Sequence, residues 1–336
     1  MSVIISEIKE AITFYKRIPD FRKVTRSFER GEESLPISVS VQTISACNAS
    51  CVFCPYTYIS KTVPQGKMPW ETYKKIVDEC TSFKKLTNFS PLLQNEPLLD
   101  KDIGRAIAYF KEKERNNRTS VQISTNGYFI TKDIIRSLVN SGLDILVISL
   151  NALNEDTYEK LFPGFKFKKI MNNIEELLSL DLGKMKFIVR FLVTSENELE
   201  VKEAVKYWHK RGVMTEVITL LHNRAGAIDI GHLKPKRQVR VQPLRKMFYR
   251  TWFNIFTTCC VVPFRQMYIL FNGDVLLCGN DWRREVILGN VNRNSIRDIW
   301  NGPIAQQIRK KILQRKYEDV PPCSGCTMLA NYSSWR

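Results

Sequence analysis

Cys47, Cys51 and Cys54 stand in the spacing CxxxCxxC, and Cys260, Cys278, Cys323 and Cys326 form a second set toward the C-terminal end. Thiolates are soft ligands, suited to iron–sulfur clusters and to zinc. Three of them on one short loop can converge on one face of a [4Fe–4S] core. They leave the fourth iron open to a small chelating molecule, because a fully ligated core needs a fourth cysteine. Zinc is the alternative, since paired cysteines also make zinc sites, but no second CxxC or histidine pair lies near the first set. The nine cysteines come without a secretory signal, because the first nineteen residues mix Glu7, Lys9, Glu10, Lys16 and Arg17 into their apolar positions. A disulfide framework is therefore not expected, and the cytoplasm is the expected compartment. Two thiols remain outside the sets. Cys80 shares a helical face with Tyr73, Ile76, Val77 and Phe83, which reads as core; Cys259 immediately precedes Cys260.

The elements that position these residues follow from periodicity. Apolar, β-rich runs at 37–44, 86–89, 120–125, 144–150, 186–194 and 215–221 alternate with helical patterns at 70–83, 103–113, 132–141, 167–180 and 198–210. About six strand–helix repeats predict a parallel sheet with helices outside it, a partial (β/α)6 TIM-like barrel in an α/β fold. Functional loops in such folds follow the C-terminal ends of strands. The first cysteine set comes just after the first strand. The rhythm breaks after Leu221. Asn272-Gly273-Asp274 between apolar runs 267–271 and 275–277 predicts a hairpin, and one helix is expected over 295–315. The chain then divides into an N-terminal helical extension (1–36), a barrel core (37–225), a basic connecting segment (226–255) and a small α+β domain (256–336).

At CxxxCxΦC, with the aromatic Phe53 at Φ, the sequence resembles the radical S-adenosylmethionine (SAM) superfamily. Gln94-Asn95-Glu96-Pro97, after the second strand, is similar to that family's Gly-Gly-Glu-Pro motif, with both glycines replaced. The resemblance implies that the backbone there and Glu96 hold the SAM amino group, with Asn95 beside it. Ser124-Thr125-Asn126-Gly127 resembles the segment that reaches the SAM ribose, through Ser124 and Asn126. Ser149-Leu150-Asn151 resembles the segment near the SAM carboxylate, and Arg190 is placed as a partner for that carboxylate, which a guanidinium binds bidentately. The motifs occur in order over residues 37–221, each after its expected strand. The activity implied is reductive cleavage of SAM to methionine and a 5′-deoxyadenosyl radical, which takes a hydrogen atom from an unreactive C–H bond.

The second set resembles the twitch form of the SPASM extension, Cys…GxxxxC…CxxC, with Leu288-Gly289-Asn290-Val291 and Ser295–Trp300 also similar. This implies one auxiliary [4Fe–4S] cluster with four protein ligands, Cys260, Cys278, Cys323 and Cys326. Four thiolates leave no iron for substrate, so its implied role is electron transfer or structure; four-cysteine zinc is the alternative. Cys259 reads as a packed thiol, an alternative ligand, or a hydrogen-atom donor for an epimerase.

The formal net charge of +17 bounds the substrate. Seven Lys or Arg and no carboxylate lie between 230 and 258, and Arg309, Lys310, Lys311, Arg315 and Lys316 form a second cluster. Such a field favours anionic partners, unless it is only a solvated basic surface. The leading reading is a radical SAM oxidoreductase or epimerase. Its substrate would be a small anionic biosynthetic intermediate, such as a sugar, aminocyclitol, nucleoside or nucleotide sugar, and flavodoxin or ferredoxin would supply electrons. The alternatives are maturation of a ribosomally made peptide and a zinc-binding basic scaffold for nucleic acid. About 36 residues before the first strand are too few for a leader-binding winged helix, and no RNA-binding module is recognisable. The basic, aromatic stretch 245–256 reads as a linker or as a contact to a membrane or lipid-linked substrate. No apolar run is long enough to cross a bilayer.

Overall fold

Six parallel strands alternate with helices from Ser38 to Ile218, in the order that the periodicity predicts. The computed structural model describes residues 21–114, 118–237 and 259–329. The first twenty residues of the expected N-terminal extension, most of the basic segment and the stretch 245–256 lie outside the described residues. In chain order the elements are α1 (Phe21–Glu29), β1 (Ser38–Val41), α2 (Tyr56–Ile59), α3 (Trp70–Thr81), β2 (Asn88–Ser90), α4 (Ile103–Lys113), β3 (Ser120–Thr125) and α5 (Lys132–Asn140). There follow β4 (Ile145–Ser149), α6 (Glu155–Leu161), α7 (Phe167–Leu178), β5 (Lys186–Leu192), α8 (Val201–Lys210) and β6 (Met214–Ile218). The C-terminal region adds β7 (Gln266–Ile269), β8 (Asp274–Leu276), β9 (Ile287–Asn290), α9 (Ile296–Asn301), α10 (Pro303–Leu313) and α11 (Pro321–Ser324).

One sheet carries all nine strands, ordered β6-β5-β4-β3-β2-β1-β7-β8-β9. The barrel strands pair in parallel, and β7 joins the same sheet in parallel with β1, Ser38 opposite Gln266 and Val41 opposite Ile269. The predicted hairpin is β7–β8, with Tyr268 opposite Leu276. The C-terminal region therefore extends the barrel's sheet. Strand alternation sets the layers: in β3, Val121, Ile123 and Thr125 are buried, and in β5, Phe187, Val189 and Phe191 are buried while Arg190 lies on the other face. Helix α3 buries Tyr73, Ile76, Val77 and Cys80, the i, i+3, i+4, i+7 stripe of an amphipathic helix. Phe110 of α4 stacks on Phe89 of β2 with ring centroids 4.0 Å apart.

The sequence reading gives no element at α2, β9 or α11, and two further differences have a plain physical cause. The helix expected over 295–315 is two, because Pro303 supplies no N–H and pushes the preceding Gly302 into an extended conformation (φ −69, ψ 163). Helix α6 escaped periodicity because it is seven residues long; its signal is the Asn154 cap, which accepts from the Thr157 N–H, followed by Glu155 and Asp156.

Gly127 ends the β3 loop at φ +74, where an added Cβ would lie 2.6 Å from Ile170 Cδ1 and 3.1 Å from Ile148 Cγ2. Gly127→Ala is expected to cost about 2–4 kcal/mol from overpacking and left-handed backbone. A urea titration should show a lower midpoint at an unchanged m-value.

Candidate active site

The loop after β1 carries Cys47, Cys51 and Cys54 and is tied down on both sides. The Cys47 N–H donates to Tyr56 Oη at 2.9 Å, the Cys54 N–H to the Cys51 carbonyl at 3.0 Å, and the Val52 N–H to the Leu161 carbonyl at 3.2 Å. Phe53 is buried edge-on against Phe162, 5.6 Å between centroids, so the aromatic of the motif wedges the loop onto the barrel. Burial pushes the Cys47 thiol up to about 12 and raises Cys51 and Cys54 as well. The charges of Cys47 and Cys54 raise Cys51 further, so the three stand within electrostatic reach of one another. Thiolates crowded and desolvated in this way need cationic metal to stay deprotonated, which coordination supplies.

The second set converges in the same manner. Cys278 follows β8, Cys323 lies in α11, and the Cys326 N–H donates to the Cys323 carbonyl at 3.1 Å. Burial pushes Cys260 to about 11 and Cys323 to about 12, and it raises Cys278, whose thiol also feels Cys260, Cys323 and Cys326. Among the described residues no three His, Cys, Asp or Glu side chains sit close enough to hold one metal ion. Three thiolates at one place and four at the other are the donor sets of a [4Fe–4S] cluster with one open iron and of a saturated one.

The motif residues build the floor between strand ends. Glu96 is buried and accepts from Leu98 N–H (3.0 Å), Thr125 Oγ1 (2.6 Å) and Asn126 N–H (2.8 Å). Its own N–H donates to the Ala46 carbonyl, next to Cys47. Burial raises its pKa against these donors. Its carboxylate thus brackets two loops. Asn126 donates to Asn48 Oδ1 at 2.9 Å and accepts from Tyr128 N–H, tying the β3 loop to the cysteine loop. Ser124 and Ser149 face each other at 3.3 Å, and Arg190 Nη1 donates to Ser124 at 3.2 Å. The carboxylate on Arg190 belongs to Glu216 of β6, at 2.7 Å from Nε. Glu216 was missed by sequence reasoning; its signal was a carboxylate inside an apolar strand run.

Cys259 is buried with Phe264 and Ile312, against Phe28, Val261 and Tyr317. These surroundings are those of a packed thiol, and they offer no support for a hydrogen-donor role. Cys80 is fully buried in the core, as its helical spacing implied.

Residues to which the sequence reading gave no contact of their own join the two sets. Gln94 takes φ +54, the left-handed backbone that glycine favours, and its amide donates to the Gly279 (3.0 Å) and Asp281 (3.3 Å) carbonyls beside Cys278. After β6, Asn223 donates to the Gly325 carbonyl at 2.7 Å and exchanges hydrogen bonds with Thr327, clasping the Cys323–Cys326 turn. Then Arg224, Ala225 and Gly226 are all left-handed (φ 50, 55 and 80). Left-handed backbone costs about 1–2 kcal/mol for each non-glycine residue, and such strain gathers where function holds it. Arg224 feels the charges of Cys54, Cys51 and Cys278, so it stands between the two sets. Its Nη1 reaches Asn280 Oδ1 and His222 Nε2, both at 3.4 Å.

Comparison with known proteins agrees with this arrangement. Residues 41–221, more than half of the chain, match the model of the Radical SAM superfamily, and residues 259–327 match the SPASM iron–sulfur cluster-binding domain. The chain is 24% identical to the GTP 3′,8-cyclase of Limosilactobacillus fermentum over 60% of its own length and 58% of the cyclase. It thus spans under two thirds of that relative. It is 21% identical to the S-adenosyl-L-methionine-dependent 2-deoxy-scyllo-inosamine dehydrogenase of Niallia circulans, over 86% of this chain and 91% of that one. Its fold is similar to that of Streptococcus suis SuiB bound to the precursor peptide SuiA (TM-score 0.67, 17% identity, covering 86% of this chain and 70% of SuiB).

Two predictions test the geometry. Gln94→Gly removes both the strain and the hydrogen bonds, so stability should change by no more than about 1 kcal/mol. Amides in the loop after Cys278 should nevertheless exchange with solvent about tenfold faster or more, read by hydrogen exchange. Burial first, and then the Arg224 charge, holds His222 down to about 4 from 6.5. In that window the unfolded chain binds a proton that the native state refuses, so this contribution is complete above pH 6.5 and lost as pH falls toward 4. His222→Gln should flatten the pH dependence of urea stability there by about 2–3 kcal/mol in total.

Proposed function

The chain belongs to the radical SAM superfamily, and from that premise we propose that it oxidises a small anionic biosynthetic intermediate by removing a hydrogen atom from carbon. Its two domains bind a SAM-anchoring [4Fe–4S] cluster with SAM, and an auxiliary cluster. In this reading Cys47, Cys51 and Cys54 hold the first, and Cys260, Cys278, Cys323 and Cys326 the second. Once bound, SAM and its cluster supply the hydrogen-abstracting radical, and the auxiliary cluster supplies an acceptor for the electron left behind.

The chain's own residues set the stage for this reaction. Phe53 wedges the cysteine loop against the barrel, while Glu96 and Asn126 fix the loops after β2 and β3 around it. Ser124, Ser149 and Arg190 line the strand ends where SAM would lie, and Asn95 offers a buried amide donor that has no partner among the described residues. The observation that carries the reading is the clasp from both sides of the second cysteine set, by Gln94 and by Asn223. A saturated cluster held that firmly against the barrel suits an electron acceptor for net oxidation. Epimerisation would need a hydrogen donor in the cavity, and Cys259 packs among apolar side chains. The dehydrogenase relative, matched over nearly its whole length, supports oxidation. The basic charge supports an anionic substrate, and a flavodoxin or ferredoxin would provide the reducing electron. No helix among the described residues is long and apolar enough to cross a membrane.

Anaerobic reconstitution tests the ligand assignment and the chemistry together. Wild type should hold about eight irons, and the triple Cys47/Cys51/Cys54→Ala variant about four. With dithionite and SAM, only the wild type should form 5′-deoxyadenosine. Four irons in wild type and none in the variant would point to zinc in the second set; colourless protein without cleavage would sink the enzyme reading.

A further inference from the structure

Between the two cysteine sets stand hydrogen-bond donors that no described residue satisfies. Among the described residues Arg224 Nε has no partner, and no carboxylate pairs with its guanidinium. A guanidinium only donates, so the contact of Arg224 Nη1 with His222 Nε2 makes that nitrogen the acceptor and places the imidazole hydrogen on Nδ1. Nδ1 is buried and, among the described residues, also without a partner. Two orphan donors side by side call for a ligand that accepts, since each unsatisfied group costs free energy until one arrives.

The backbone is arranged to keep Arg224 there. Three consecutive left-handed residues turn the chain, and the turn is fastened by Asn223 to the Cys323–Cys326 segment and by Arg283 Nη2 to the Gly226 carbonyl at 2.9 Å. Arg190, the other guanidinium close by, is occupied by Glu216; Arg224 is not. Both neighbouring thiol sets are anionic when deprotonated, so a negative ligand could enter only against repulsion unless a cation met it.

We propose that Arg224, with His222 Nδ1–H beside it, is the anchor for an oxyanion of the substrate, a phosphate or carboxylate, held between the two cluster sites. The proposal rests on the functional reading above and names its substrate class. A planar fork of donors matches either group and holds it in a fixed orientation. Arg224 is then a binding residue that sets specificity, and neutral polyols lacking an oxyanion bind poorly.

The experiment uses the anaerobically reconstituted protein with SAM, titrated calorimetrically at constant ionic strength. The probes are inorganic phosphate, pyrophosphate and glutarate, with myo-inositol as the neutral control. Wild type should bind at least one oxyanion and not myo-inositol, with phosphate against glutarate telling which oxyanion fits. Arg224→Gln should weaken that binding about tenfold or more, and Arg224→Lys, which keeps charge but loses the fork, about three- to tenfold. The oxyanion should alter the EPR spectrum of the reduced auxiliary cluster in wild type and not in Arg224→Gln. Iron content and SAM cleavage are measured on each sample. Wild type that cleaves SAM but binds none of the three oxyanions overturns the anchor and leaves the enzyme reading intact. So does Arg224→Gln that binds as wild type while its cluster potential shifts, because Arg224 is then only a countercharge. If Arg224→Gln loses iron, Arg224→Lys with full iron decides, and wild-type affinity in it overturns the assignment. No SAM cleavage in wild type defeats the functional reading itself.

Discussion

The parallel ladder between Ser38–Val41 and Gln266–Ile269 is the constraint on which the rest of the arrangement depends. It joins residues more than two hundred positions apart, the longest separation of any strand pairing among the described residues. The entropy of such closure grows only slowly with length, and the ladder offsets it by burying Val39, Val41, Met267 and Ile269 almost completely. With β7 fixed on β1, the hairpin and Cys278 have nowhere to go but the flank of the barrel. The loops after β2 and β6 then reach the second cysteine set by short side chains. Without that ladder, seven thiols would be two unrelated motifs.

A second layer of constraint is polar and buried. Glu96 accepts three hydrogen bonds from the loops after β2 and β3, and Asn126 passes the connection on to Asn48 in the cysteine loop. A buried carboxylate is costly unless its oxygens are occupied, so these partners must stay in place together. The result is a hydrogen-bonded frame of protein groups around the first three thiols. Residues that a motif suggests as ligand contacts are, in part, the residues that hold the other contacts still.

The replacement of glycine by Gln94 shows the same economy. At φ +54 a glycine would be easier to accommodate, yet its side chain could not reach the carbonyls beside Cys278. Arg224 repeats the pattern after β6, where two non-glycine residues accept left-handed backbone to bring a guanidinium between the thiol sets. Strain in both cases lies where the barrel meets the C-terminal region.

Sequence alone determined what local chemistry encodes. Cysteine spacing announced two sites, alternation in β3 and β5 announced strands to within a residue or two, and Asn272-Gly273 announced the hairpin. The α3 stripe placed Cys80 in the core, because a helical face needs only its own period to be seen. What joins distant segments was not visible. Glu216 pairs with Arg190 through sheet register, Gln94 meets the Cys278 loop across nearly two hundred residues, and Arg224 acquires its position from a turn held by Asn223, Thr327 and Arg283. Short helices such as α6, and the break at Gly302-Pro303, escaped because their signals are caps and a single proline in place of a period. Tertiary structure decided which side chains remain unsatisfied, since a donor is orphaned only by the neighbours that folding gives it.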